Sequence, residues 1–264
     1  CAVCGSSERR RLFAKQGFAY HRCAGCSHVY ISPGLRRAAY LDLEAEGESN
    51  GDGDGGSPYL EAQRLYAEPI CQLLRLRSPG ARLLDLGFGE GHLLRTARAF
   101  GFEVYGMDAS RQAVELLEPE FGRHVVCGAI GAVAIPWSDL DVIVMSHVLE
   151  HLRDPAAALA EVYGRLKPGG LLYVAVPDMG SVQFRMFGKN WDAVSPLVHL
   201  QGFNEASLGH LLARCGFVAG ERVDVPLPVW VRPLRWMQLV RQLGGNEAGE
   251  LAVLAERPET AGAS

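Results

Sequence analysis

Four cysteines open the chain in two close pairs, Cys1-x2-Cys4 and Cys23-x2-Cys26, with eighteen residues between the pairs. A tight turn at each pair brings two sulfurs to one side of the backbone, and two such turns complete a tetrahedral site. Four thiolates suit Zn2+ and leave no position open for a reacting water, so the expected metal is structural. It would staple a block of about 34 residues that is too small to be held by a core alone. The rival readings are a redox dithiol, which needs only one pair, and two disulfides, which fit a cytoplasmic chain poorly.

A second constellation is Leu83-Leu84-Asp85-Leu86-Gly87-Phe88-Gly89-Glu90-Gly91. It follows an apolar run and opens a helical pattern, the setting a nucleotide loop requires. Glycines at alternate positions let the backbone turn sharply and approach a ligand without intervening Cβ atoms. The spacing is G-x-G-x-G rather than the G-x-G-x-x-G of a dinucleotide loop, and no Lys-Ser/Thr pair follows to cradle a triphosphate. Asp108 closes the next apolar segment, which puts two acids at the carboxyl ends of adjacent strands, where open α/β sheets bind ligands. Asp108 can accept both hydroxyls of a ribose, and Asp85 can hold a cationic amino group directly or through water. A ribose and an ammonium group without a pyrophosphate describe S-adenosylmethionine. Phe88, Ala109, Ser146 and His147 fall at the same strand ends and join the candidate cofactor contacts. The competing reading is a tight strand-to-helix turn with no ligand.

The third constellation is Ser146-His147-Val148-Leu149-Glu150-His151. On a helical turn, His147, Glu150 and His151 would share one side. With the later His199 they are the candidate catalytic groups. His199 is either a general base or a structural or substrate-orienting side chain, and Glu150 and His151 either act chemically or shape the loop. Trp191, Trp230 and Trp236 face substrate or fill core.

These residues need a scaffold, and alternating strand and helix patterns supply one from Tyr59 onward. The spacing predicts helices over Pro58–Arg77, His92–Phe100, Arg111–Leu117, Pro155–Leu166 and Glu205–Cys215, with Asp154 as N-cap and Pro155 in the first turn. Strands are expected at Arg82–Leu86, Glu103–Met107, His124–Cys127, Asp141–Ser146, Leu171–Val176, Phe217–Val225 and Leu251–Glu256. Such alternation argues for a doubly wound α/β sheet, mostly parallel and covered on both faces. Three blocks follow: a ribbon and connector at 1–41, an acidic glycine-rich linker at 42–58, and a ligand-binding domain at 59–264. The proline- and tryptophan-bearing stretch at 226–244 fits no element and reads as an apolar excursion, a substrate cap or an oligomer contact.

The bulk numbers narrow the partners. A 264-residue chain that is 48% hydrophobic can fill a core, and its net charge of −4 signals no broad attraction to nucleic acid or anionic lipid. Arg9-Arg10-Arg11 reads as a solvated face. No apolar run approaches bilayer-spanning length and no signal peptide opens the sequence, which begins at Cys1, so a cytoplasmic setting is expected. Cys71, Cys127 and Cys215 lie in apolar stretches and read as buried, reduced thiols.

Asp85-x-Gly87-x-Gly89-x-Gly91, Tyr105-Gly106-Met107-Asp108-Ala109-Ser110 and Leu166-Lys167-Pro168-Gly169-Gly170 together resemble the class I S-adenosylmethionine-dependent methyltransferases. More narrowly, Cys23-Ala24-Gly25-Cys26-Ser27-His28-Val29-Tyr30-Ile31-Ser32-Pro33 and the stretch from Phe187-Gly188-Lys189-Asn190-Trp191 through His199 to Cys215-Gly216-Phe217 resemble a bacterial group. That group carries an N-terminal zinc ribbon and is associated with sugar and natural-product modification. The resemblance implies a seven-stranded Rossmann-like sheet and methyl transfer to a small-molecule acceptor, an oxygen of a sugar or natural-product intermediate. Related enzymes often bind adenine with an acid after the third strand of the sheet. Here the sequence is Cys127-Gly128-Ala129-Ile130, so Ile130 or Trp137 is expected to pack on adenine instead. His-x-x-Glu-His is also similar to a Glu-x-x-Glu-His metal motif of some O-methyltransferases, though the motif is common in this fold without metal. The alternatives are sugar C-methylation, ribosomal RNA methylation, and a catalytically inactive zinc-ribbon binding module.

Overall fold

The computed structural model describes residues 1–32, 58–223 and 249–259. The linker expected at 42–58 lies outside them up to residue 57. The excursion at 226–244, with Trp230 and Trp236, lies outside them entirely.

Three antiparallel strands come first, β1 (Arg9–Lys15), β2 (Phe18–Cys23) and β3 (Val29–Ile31). The body then runs α1 (Pro58–Arg77), β4 (Arg82–Leu86), α2 (His92–Ala99), β5 (Glu103–Asp108), α3 (Arg111–Phe121), β6 (Val125–Cys127) and β7 (Leu140–Ser146). It continues with α4 (Pro155–Arg165), β8 (Leu166–Pro177), α5 (Val182–Phe187), β9 (Gln201–Gly202), α6 (Glu205–Arg214), β10 (Val218–Arg222) and β11 (Glu250–Glu256). Seven strands form one sheet in the order β10-β11-β8-β7-β4-β5-β6. The pairs among β8, β7, β4, β5 and β6 are parallel, while β11 runs antiparallel to both its neighbours. This is the doubly wound, mostly parallel, Rossmann-like sheet that the sequence pattern predicts.

Side chains alternate across that sheet as strand geometry requires. Leu84, Leu86, Met107, Ile143, Met145, Leu172 and Val174 face a core shared with α4 and α6. Leu83, Val104, Val142, Val144, Leu171 and Tyr173 face the opposite core, shared with α1, α2 and α3. Asp154 caps α4 by accepting from the Ala157 amide at 3.0 Å, with Pro155 in the first turn, as its sequence signature requires.

Two boundaries differ from the periodicity by about a helical turn or more. Helix α3 continues past Leu117 to Phe121 through Pro119, because Leu117 and Phe121 both enter the core and anchor the last turn. Strand β8 begins at Leu166, which pairs with Leu140. The chain then bulges through Lys167-Pro168-Gly169-Gly170 before Leu171 pairs with Val142. Strand β9 and helix α5 carry too short a pattern to be read from sequence.

Strand β9 has a large consequence for so short an element. It pairs antiparallel with β3, Val29 opposite Gly202 and Tyr30 opposite Gln201, making a second sheet in the order β1-β2-β3-β9. The ribbon is thereby joined edge to edge with the segment that follows His199.

Candidate active site

The ribbon's four cysteines converge. Residues just past each pair adopt left-handed backbone, Gly5 at φ 76° and Ser27 at φ 61°. The turns close through Gly5 N–H to Cys1 O (2.9 Å) and Ser27 N–H to Cys23 O (3.1 Å). The Cys1 and Cys26 Sγ atoms are 3.6 Å apart, those of Cys4 and Cys23 3.4 Å, and all four lie within 4.8 Å of one another. All four thiols are free, far from the ~2.05 Å of a disulfide. A tetrahedron of ~2.3 Å Zn–S bonds has edges of about 3.8 Å, so the donor set fits such an ion. Burial pushes the Cys26 thiol up to about 12, whereas at Cys23 burial is outweighed by hydrogen bonds from the Cys26 and Gly25 backbone and the Cys4 thiol, which bring it down to about 7.

The glycine loop leaves β4 at its carboxyl end. Gly87 (φ 75°), Gly89 (φ 52°) and Gly91 (φ 75°) all occupy the left-handed region that favours glycine. A Cβ on Gly87 would lie 2.6 Å from Val148, and one on Gly91 would lie 2.3 Å from Leu117, so both glycines also permit close packing. The loop is tied to β5, where Asp108 accepts from the amides of Gly89 (2.9 Å) and Ser110 (2.8 Å). Asp85 is almost fully buried. Burial and the neighbouring Asp108 push its carboxyl well above the usual carboxylate range. Among the described residues no basic side chain pairs with it.

The remaining expected contacts divide. Phe88 turns into the core, 5% exposed, against the site where a Gly106 Cβ would stand. Ala109 and Ser146 sit at the carboxyl ends of β5 and β7, and Ile130 is half-buried in the turn after β6. Trp137 packs on Tyr105, whose hydroxyl meets Arg82 and Glu103 at the starting ends of β4 and β5. Cys127 differs from the buried thiol expected of it. It is exposed because it ends the edge strand β6, and its Sγ lies 3.6 Å from Ala109 O.

The third constellation stands at the end of β7. His147 leaves the strand with φ 55°, a conformation uncommon for a side-chain-bearing residue, and Leu149–His151 then form one 3-10 turn. His147 Nδ1 is 3.2 Å from Glu150 Oε1, and its Nε2 is 2.7 Å from Glu250 Oε2. Burial alone would lower the His147 pKa, but its bonds to these two carboxylates outweigh burial and raise it well above the ordinary histidine value. Burial likewise opposes the charge on Glu150, yet the His147 bond and the nearby imidazoles hold its pKa at about 2. Glu150 is thus a buried carboxylate whose charge is met by a protonated imidazole, and among the described residues its Oε2 has no hydrogen-bond partner.

His151 is different. Burial brings its pKa down to about 4 against the pull of Glu150, so near neutral pH the ring is uncharged. His199 meets it edge to face, ring centroids 4.9 Å apart. His199 Nδ1 must donate to the Ala193 carbonyl (2.7 Å), so in the unprotonated tautomer Nε2 is the ring's acceptor nitrogen. Glu150, His151 and His199 each offer a donor atom within 4.8 Å of the others, so this trio could also admit a cation. Trp191 is half-buried against Phe184, at 6.1 Å between centroids.

Glu250 carried no sequence signal as a site residue. It opens β11, and because that strand runs antiparallel, its first residue lies opposite Pro177 at the ligand-bearing end of β8. Only the topology brings it to His147, 103 residues earlier.

Residues 59–220 match the model of the methyltransferase domain. The chain belongs to that family. The chain is 31% identical over 148 residues to the malonyl-[acyl-carrier protein] O-methyltransferase of Serratia marcescens, covering 55% of this chain and 57% of that one. It is 35% identical over 186 residues to a 37.1 kDa transposon protein of Streptomyces fradiae, covering 68% of this chain and 49% of that one. The chain thus spans about half the length of these curated relatives. Among solved structures it resembles the Burkholderia thailandensis 1,6-didemethyltoxoflavin-N1-methyltransferase with bound 1,6-didemethyltoxoflavin and S-adenosylhomocysteine. The TM-score is 0.55 at 16% identity, over 95% of this chain and 100% of that one. At that identity the likeness concerns the fold. No helix among the described residues is long and apolar enough to cross a membrane.

Proposed function

We propose that the chain transfers a methyl group from S-adenosylmethionine to an oxygen of a small-molecule acceptor, a sugar or natural-product intermediate. A zinc ribbon at 1–41 would precede a cofactor-binding domain at 59–264. The observation that carries this reading is at the carboxyl ends of the central strands. Asp85, the three glycines and Asp108 stand at the ends of β4 and β5, and the edge-to-face His151–His199 pair stands beyond the neighbouring β7.

S-adenosylmethionine supplies an electrophilic methyl group on a sulfonium centre. Asp85 would take its ammonium group, Asp108 its ribose hydroxyls with the lone pairs left over from its two amide bonds, and Ile130 one face of the adenine. Methyl transfer is a direct displacement, so the protein's contribution is alignment and removal of the acceptor's proton. His199 Nε2 would take that proton as the new C–O bond forms, with Ala193 O fixing the ring's tautomer. His147, already bonded to two carboxylates, braces the turn rather than exchanging protons. At Cys1, Cys4, Cys23 and Cys26 we place a structural zinc, with no open position for chemistry.

Calorimetric titration with S-adenosylmethionine and S-adenosylhomocysteine tests the reading first. Micromolar binding is expected, followed by labelled methyl transfer to sugar and natural-product acceptors. A folded protein that binds neither compound would overturn the enzymatic reading in favour of a zinc-ribbon binding module.

A further inference from the structure

The ribbon meets the body through a directed chain of buried polar contacts that ends beside His151 and His199. His28, fully buried, places Nε2 2.8 Å from Gln201 Oε1. The Gln201 amide nitrogen donates to Leu152 O at 3.0 Å, so its Oε1 must be the acceptor toward His28. His28 therefore carries its proton on Nε2, and its Nδ1 is left buried without a partner among the described residues. Leu152 follows His151 directly, and Gln201 lies two residues after His199. A second bond, Leu200 N–H to Glu150 O at 2.9 Å, grips the same turn one residue before His151.

The packing serves the same junction. The His28 ring lies 4.8 Å from the Phe203 ring, and β3 pairs with β9 on the other side of Gln201. Gly202 admits that pairing, since a Cβ there would stand 2.8 Å from Met179 and 3.2 Å from Val29. Ser27 O accepts from Asn204, and Val3 O accepts from Arg214 (2.7 Å), which ties both cysteine turns to α6 and its cap. Tyr20, Val29 and Ile31 share a core with Met179, Phe184, Val194 and Leu200, the stretch that carries His199. A buried His–Gln pair adds little net stability over apolar packing, but it fixes direction, which packing alone does not.

We propose that the ribbon is the positioning element of the acceptor side. His28, acting through Gln201, holds the His199 segment against the turn of Glu150 and His151. This rests on the reading of His151 and His199 as acceptor-side groups. His28 touches neither cofactor nor acceptor, so it is a positioning residue.

The test uses the full chain with its zinc, saturated with S-adenosylhomocysteine and labelled with 15N-histidine. In His28→Phe, which keeps an aromatic ring and removes the donor, the His151 and His199 ring signals should shift or broaden. The Gln201 and Gly202 amides should exchange about tenfold faster, the size of one lost hydrogen bond. Zinc stoichiometry and S-adenosylhomocysteine affinity should not change. His28→Gln, whose amide nitrogen reaches the same place, should restore both signals. Gln201→Met removes the bond from the body side and decides the matter where His28→Phe does not fold. Adding His28→Phe to Gln201→Met should then cost little more than Gln201→Met alone, because the two share one interaction. Unchanged His151 and His199 signals in a folded variant, or a failure of His28→Gln to restore them, would overturn the proposal. Neither readout needs an acceptor. The transfer reading fails separately, through absent cofactor binding or a His199→Ala enzyme that still methylates.

Discussion

The two sides of the proposed active site are assembled in opposite ways. On the cofactor side, Asp85 to Gly91 and Asp108 to Ser110 are two short stretches on adjacent parallel strands, stitched by Asp108 to the Gly89 amide. On the acceptor side, His147, Glu150, His151, His199 and Glu250 come from three distant segments, and His28 adds a fourth from the ribbon. The first side is a local structure that a motif can specify. The second exists only when an antiparallel last strand and a ribbon strand both dock.

The sharpest way to break that comparison is to remove the metal proposed for the ribbon. Structural zinc sites of this kind contribute about 10 kcal/mol or more, so Cys23→Ser should lose metal and melt the β1–β3 ribbon. Because β4 and β5 make no sheet contact with the ribbon, S-adenosylhomocysteine affinity should survive, and amide exchange with metal analysis reads both effects. Normal zinc stoichiometry in that variant would refute the four-thiolate site. Two metal ions per native chain would instead point to a second ion among Glu150, His151 and His199.

On the other side, Asp108→Ala removes a charged acceptor from two amides and from the expected ribose. It should weaken S-adenosylhomocysteine binding by about 10–100-fold by calorimetry and leave zinc content intact. Full affinity in the variant would remove Asp108 from the site.

The acceptor side should also show itself in pH. The folded pKa of His151, about 4, lies below the unfolded value of about 6.5, so the unfolded chain binds more protons between them. Its contribution is therefore complete above about pH 6.5 and is lost as pH falls toward 4. His147 behaves oppositely: its pKa is raised, so its contribution is complete below about pH 6.5 and fades as pH climbs through the folded value. Thermal melts of His151→Asn should lack part of the native loss of stability between about pH 6.5 and 4. A native-like slope in the variant would place His151 outside the cluster.

The smallest effect belongs to Cys127, exposed at the end of β6 beside Ala109. Saturating S-adenosylhomocysteine should slow its alkylation, while Cys127→Ser should change affinity by less than about threefold, since a neutral side chain at a solvated rim contributes little. Equal alkylation rates with and without the ligand would move the adenine away from β6.

Much of the fold was legible because its signals are local. Period-2 apolar strands, the Asp154-Pro155 helix start and the glycine spacing each follow from backbone sterics within a few residues, and they place Asp85, Gly87, Gly89, Gly91 and Asp108 without any distant contact. The Cys1-x2-Cys4 and Cys23-x2-Cys26 spacing likewise suffices to bring four sulfurs within reach of one ion. Glu250, His28, Gln201 and the exposure of Cys127 were not legible. Each depends on which strand lies beside which and in what direction, and pairing at a separation of a hundred residues or more leaves no periodicity in the chain. The sequence by itself determined a doubly wound sheet and where along it a cofactor can sit. Tertiary structure alone decided that His147 meets two carboxylates and that the ribbon holds the His199 segment, because a buried polar group finds its partner only after the elements have packed.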